Sequence, residues 1–168
     1  MSEQDHGIYP NIVQDNLKIL EVAGIGYQVK IFEAPGRTAI EAASLLECSL
    51  GAIVKSLVFQ IDSSGEMFMV LVAGHNRADQ DKLSAIIGKE VKPARAQEIL
   101  DQTGYHVGAV TPFALGVEAK VVMDADLLLN DVVWASAGAK HIFFSIDPNL
   151  LLKLIYGTVL NLKTLRRN

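Results

Sequence analysis

Lys55 is the charged residue whose position most needs an explanation. Counting alternately along residues 53–61, Ile53, Lys55, Leu57 and Phe59 share one strand face. A cation on an apolar face costs free energy unless its head snorkels to water or meets an anion. Snorkelling at the start of the strand is one reading. The other is an anion clamp, for a phosphate or a carboxylate, on the floor of a pocket. A buried lysine with a lowered pKa can also act as a base or form a Schiff base. The second stretch with chemical potential is Thr103-Gly104-Tyr105-His106-Val107-Gly108-Ala109-Val110-Thr111-Pro112-Phe113. Glycine admits φ values closed to other residues and lets a ligand approach the main chain. Pro112 fixes its own φ and pushes Thr111 toward extended conformations. Ala109, Val110 and Thr111 offer no strong acid and no nucleophile with an evident base. Chemistry in this loop would therefore fall to backbone N–H groups, which can form a concave site for an oxyanion or a carbonyl. A tight structural turn explains the same punctuation.

The remaining reactive side chains are scattered. His6, His75, His106 and His141 have no metal-ligand spacing, so no metal is expected. His106 lies within the Gly-Pro loop, where it either lines a pocket or is solvated. Cys48 ends a predicted helix beside core leucines and is a poor candidate nucleophile. No metalloprotease, nucleophile-elbow, phosphate-loop or dinucleotide motif occurs. Residues 77–95 hold five cations (Arg77, Lys82, Lys89, Lys92, Arg95) against three acids (Asp79, Asp81, Glu90). That fits a solvated helix face or a phosphate-contacting patch. Lys163, Arg166 and Arg167 read as a solvated tail.

These groups must be positioned by a mixture of helices and strands. Asn11 is expected to cap a helix carrying Val13, Leu17 and Leu20 and closed by Gly24. Residues 27–32 read as a strand, Pro35-Gly36 as a turn, and Thr38 to Glu41 as a capping box opening a second helix. Residues 53–61 and 67–73 are strands joined by the Asp62-Ser63-Ser64-Gly65 turn, the second apolar on both faces and so central. Asp79 caps a helix closed by Gly88; a short strand over 91–94 and a helix over 96–102 lead into the Gly-Pro loop. Strands follow at 120–123, 132–136 and 141–146, with a helical turn at 124–129. Asp147-Pro148 opens a helix, and 157–162 is a last strand. The alternation of hairpins and helices predicts an α/β or α+β domain rather than a doubly wound nucleotide fold.

The chain has 168 residues, half of them hydrophobic, which suits one domain over 1–168 with a sizeable core. Its longest apolar run is far too short to span a membrane, and the polar start from Met1 to His6 has no signal-peptide pattern. One cysteine excludes an internal disulfide, and a cytoplasmic protein is expected. A net charge of −4 argues against a surface that binds nucleic acid indiscriminately.

Three segments together carry a resemblance: Ile53-Val54-Lys55-Ser56-Leu57-Val58-Phe59, the run from Thr103-Gly104-Tyr105 through Gly108-x-x-x-Pro112, and Ser136-Ala137-Gly138. In order and spacing the chain resembles the YbaK-like aminoacyl-tRNA deacylases, relatives of the editing domain inserted in bacterial prolyl-tRNA synthetases, over roughly residues 25–162. The resemblance implies one α/β domain around a mixed, curved sheet with surrounding helices. It implies trans-editing: hydrolysis of the ester joining a small wrong amino acid (serine, threonine, alanine or cysteine) to the 3′-terminal adenosine of tRNA. It assigns Lys55 to hold the terminal nucleotide, and Gly108 with the Ala109 N–H to position the scissile carbonyl. It places Pro112, His106 and Thr111 in the substrate-binding loop and Ser136, Ala137 and Gly138 at the pocket's edge. The segment from Ala139 to Phe144 leans toward serine/threonine-type branches. The implied partner is the acceptor end of an aminoacyl-tRNA, with an aminoacyl-tRNA synthetase as a further candidate. No cofactor, membrane or DNA is implied. Because an aminoacyl ester is already activated, a positioned water and backbone donors can suffice without a histidine–carboxylate pair. Two other readings stay open: a non-catalytic tRNA-binding or synthetase-associated module, and a binder or hydrolase of a small anionic metabolite clamped by Lys55.

Overall fold

A computed structural model describes residues 9–34 and 38–162. The Pro35-Gly36 turn, His6 and the Lys163, Arg166 and Arg167 tail lie outside the described residues. The elements are α1 (Asn11–Val22), β1 (Val29–Ile31), α2 (Ala39–Leu46), β2 (Val54–Ile61), β3 (Met67–Ala73), α3 (Gln80–Ile87), β4 (Val91–Pro93), α4 (Ala96–Thr103), β5 (Val121–Asp124), β6 (Val133–Ala139), β7 (Ile142–Ile146), α5 (Pro148–Leu154) and β8 (Thr158–Leu160). Short 3-10 turns cover Leu50–Ala52 and Ala125–Leu129.

The mixed α/β class is as expected, and the strands divide between two sheets. A five-stranded sheet has the order β4-β2-β3-β5-β8, and a three-stranded one the order β1-β7-β6. β2 pairs antiparallel with β3 and β4, whereas β5 runs parallel to β3 and β8. The smaller sheet is antiparallel, and an Ile53–Trp134 bridge joins it to the larger. β3 is central because Met69 to Ala73 have no polar side chain to offer water, and all five are fully buried.

Strand alternation divides β2 between two cores. Val54 and Val58 pack with Met69, Leu71, Ile99 and Val110 in the main core, together with α1, α5 and the smaller sheet. Phe59 and Ile61 pack with Val70, Val72 and Leu83 of α3 on the opposite face. Lys55 and Ser56 therefore leave the strand on opposite faces.

Helix ends follow their side chains. Thr38 Oγ1 accepts from the Glu41 N–H, Asp79 Oδ1 from Lys82 and Asp147 Oδ1 from Asn149. Asn11 is not the expected cap: it is the first residue of α1, preceded by Pro10, and no side chain caps that helix. Pro10 has no N–H to satisfy and its ring fixes φ, which is enough to start the helix there.

Candidate functional site

β2 has one covered edge and one partly open edge. Val58 accepts from the Ala94 N–H, and Gln60 lies opposite Lys92 of β4. β4 stops there, so among the described residues the same edge at residues 54–57 has no strand beside it. Alternation then leaves the main-chain N–H and C=O groups of Val54 and Ser56 directed away from β3. A cleft of about 440 Å³ fills this gap. Its walls are β2, the start of α2 at Thr38, Ala39 and Ala42, the Pro93-Ala94 turn, the loop at Val107, Gly108 and Val110, and Ser136 with Phe143 of the smaller sheet.

Lys55, Gly108 and Ser136, three candidates drawn from three separate segments, line this one cleft. The Lys55 ammonium leaves β2 on the α3 side and donates to the Asn76 carbonyl. Asn76 is itself held: its amide donates to Asp124 Oδ2 and Asp126 Oδ2, both at 2.8 Å. Asp124 is fully buried and also accepts from the main-chain N–H groups of Ala73 and Asp126. Burial lowers the Lys55 pKa below the usual lysine value, the nearby Arg77 guanidinium lowers it further, and Asp124 partly opposes both.

Gly108 has φ +87°, a left-handed conformation, and its N–H has no acceptor among the described residues. The Val110 N–H also has none. Ala109, by contrast, donates to the His106 carbonyl at 2.9 Å, closing the turn. A loop with free amides at 108 and 110 can receive a carbonyl or oxyanion oxygen. Ser136 pairs with Phe143 while Ala139 pairs with Ile142, so Ala137 and Gly138 form a bulge beside the cleft.

The other candidates lie behind the wall or outside it. Thr111 is fully buried, Pro112 and Ala137 are buried, and His106 is exposed; none of these four, nor Ala109 or Gly138, lines the cleft. Their organiser is a residue the sequence reading passed over. Asn16 on α1 is 3 % exposed and donates to the Ile12 carbonyl, the Tyr105 hydroxyl and the Ala137 carbonyl. Its Oδ1 accepts from Thr111 Oγ1 at 2.9 Å. One amide thus ties α1, the Gly-Pro loop and the bulge together. A Cβ on Gly138, at φ +117°, would sit 3.2 Å from Asn16 Nδ2 and 3.3 Å from the Tyr105 ring. The signal for Asn16 was its position three residues after Val13 in an otherwise apolar stripe. Asn16→Leu is expected to lower stability by about 3 kcal/mol, measured by urea unfolding, because it strands several buried polar groups.

Cys48 has its thiol pushed up by burial, with Lys30 opposing, which suits an inert side chain. No described helix is long and apolar enough to cross a membrane. Among the described residues, no Asp, Glu or His lines the cleft.

Comparison with known proteins places this geometry in context. A model of the aminoacyl-tRNA editing domain matches residues 33–154. The uncharacterized protein YwhH of Bacillus subtilis (strain 168) is 27 % identical over 128 residues, which are 76 % of this chain and 81 % of that protein. The proline–tRNA ligase of Staphylococcus saprophyticus is 38 % identical over 108 residues, 62 % of this chain but only 19 % of the ligase. A crystal structure of a candidate trans-editing enzyme for prolyl tRNA synthetase is 33 % identical and covers 93 % of this chain and 99 % of its own, with a TM-score of 0.84.

Proposed function

The chain belongs to the aminoacyl-tRNA editing domain family, and on that premise we propose that it hydrolyses the ester of mischarged aminoacyl-tRNA in trans. The observation that carries this is the convergence of Lys55, Gly108 and Ser136 on one small cleft. The 3′-terminal nucleotide lies at the Lys55 end, where its phosphate pairs with the ammonium. The ester carbonyl meets the free amides of Gly108 and Val110. Water adds to the carbonyl carbon, and the amides stabilise the oxyanion as it forms. The water's proton passes, through the ribose hydroxyl or solvent, to the departing ribose oxygen. The products are the free amino acid and tRNA with its terminal hydroxyl restored. Ala109, Thr111, Pro112, Ala137 and Gly138 hold the loop and bulge in place, and His106 stays at the surface.

The amino acid released is a small one (serine, threonine, alanine or cysteine), of the kind a synthetase rejects by only about 1–3 kcal/mol per methylene. Likeness to a segment of proline–tRNA ligases supports tRNA as substrate and a synthetase as a candidate partner. Translation is its setting, so the cytoplasm is its expected place. The net charge of −4 limits contact to the acceptor end. Incubation with tRNAs mischarged with each of the four amino acids tests the proposal: release above the spontaneous rate supports it, and none from any would refute it. The absence of an acid or histidine among the described cleft residues favours one rival, a tRNA-binding module without turnover, which predicts binding and no release.

A pH effect follows from the lowered Lys55 pKa. The ammonium loses its proton as pH rises, at a value below the roughly 10.4 of a free lysine. Affinity for a non-hydrolysable, amide-linked aminoacyl-adenosine 5′-phosphate is expected to fall through that lowered value. Lys55→Arg, which stays charged, should shift the fall to higher pH, as titration at several pH values would show.

A further inference from the structure

Among the described residues the cleft has four polar side chains in its wall, and three are occupied. Thr38 Oγ1 caps α2 through the Glu41 N–H. Ser136 Oγ meets the Ala139 carbonyl and the Gly138 N–H. The Lys55 ammonium sits on the Asn76 carbonyl. Ser56 Oγ is buried and has no hydrogen-bond partner among the described residues. Its strand neighbours on the same face, Val54 and Val58, pack with Ile99 and Val110, so the hydroxyl stands in the apolar half of the cleft.

That half is separate from the places already assigned to the rest of the substrate. Lys55 leaves β2 on the other face, so the nucleotide does not need Ser56. The carbonyl belongs to the amides at 108 and 110. Among the described residues no carboxylate lines the cleft to draw the α-ammonium inward. What enters beside Val58, Ile99 and Val110 is the amino acid's side chain. We propose that Ser56 Oγ recognises the substrate by a hydrogen bond to a hydroxyl on that side chain, so that the cleft selects small hydroxylated amino acids over apolar ones of equal size. An apolar side chain entering there leaves the buried Ser56 hydroxyl unpaired, whereas a hydroxyl gives it a partner. The inference rests on the deacylase reading above.

The test compares seryl and alanyl esters on the same tRNA, which differ by one hydroxyl. For the wild-type chain kcat/KM is expected to favour the seryl ester by about tenfold or more. Ser56→Ala should bring the ratio toward one, chiefly through slower seryl cleavage. Its melting temperature should not fall, since no hydrogen bond is removed. Ser56→Thr keeps a hydroxyl and should keep the preference. If the wild type cleaves neither ester, the deacylase reading fails and this inference fails with it. If it cleaves both, and the alanyl ester is preferred or the ratio survives in Ser56→Ala, the deacylase reading stands and the assignment of Ser56 is overturned.

Discussion

Lys55→Met is expected to lower kcat/KM for a mischarged tRNA by about a hundredfold, mostly through a higher KM. Methionine keeps the unbranched stem and removes only the charge. The argument is electrostatic. The ammonium is partly desolvated, lies near Arg77, and touches a main-chain carbonyl rather than a carboxylate. An incoming phosphate is its natural counter-charge, and without the lysine that phosphate is left poorly paired. The same features make the lysine costly to the fold. With its folded pKa depressed, the unfolded chain binds the proton more readily, so this group's contribution to stability rises as pH climbs through the folded value toward the unfolded one. At neutral pH its removal should therefore leave the melting temperature unchanged or raise it. Lost activity with undiminished stability separates a ligand-binding role from a structural one.

Gly108→Ala is expected to lower kcat by about a hundredfold with a smaller change in KM. Space is not the obstacle: the added Cβ would lie 3.7 Å from Lys140 Cε, an ordinary contact. The obstacle is φ +87°. A residue with a Cβ resists that conformation by about 1–2 kcal/mol, and the loop would relax by turning the 108 peptide. Donors aimed at an oxyanion lose most of their value when displaced by a fraction of an ångström, so the loss appears in the chemical step. Steady-state kinetics on the two variants should therefore separate: the lysine in KM, the glycine in kcat.

The parts of this site legible in the sequence were those with a local signature. Lys55 stood out because it interrupts an apolar strand face, and Gly108 because glycine and proline bracket its loop. β3 declared itself central by having no polar face, and Thr38, Asp79 and Asp147 announced their helices as caps do. What could not be read depends on partners far away in the chain. Asn16 looks like an ordinary polar residue on α1 until Tyr105, Thr111 and Ala137 are brought to it. Asp124 reads as the start of a helical turn, yet it is buried because it holds the Asn76 side chain and the Ala73 N–H. Ser56 is unremarkable beside Lys55; only the short length of β4 leaves its strand edge open. Alternation showed which residues share a face, but not that the strands separate into two sheets, nor that Ala137 and Gly138 bulge out of β6. Proline at position 10 displaced the expected Asn11 cap for a local reason that propensity alone ranks poorly.

The central claim is that one cleft, with Lys55 at one end and the Gly108 loop at the other, cleaves the aminoacyl ester. Its most direct test is a single-turnover time course, with protein in excess over tRNA labelled in its mischarged amino acid, run on the wild type and on the Lys55→Met, Gly108→Ala double variant. The expected result is rapid release by the wild type and release near the spontaneous rate by a double variant that still unfolds cooperatively. Release by that folded double variant at the wild-type rate would contradict the account.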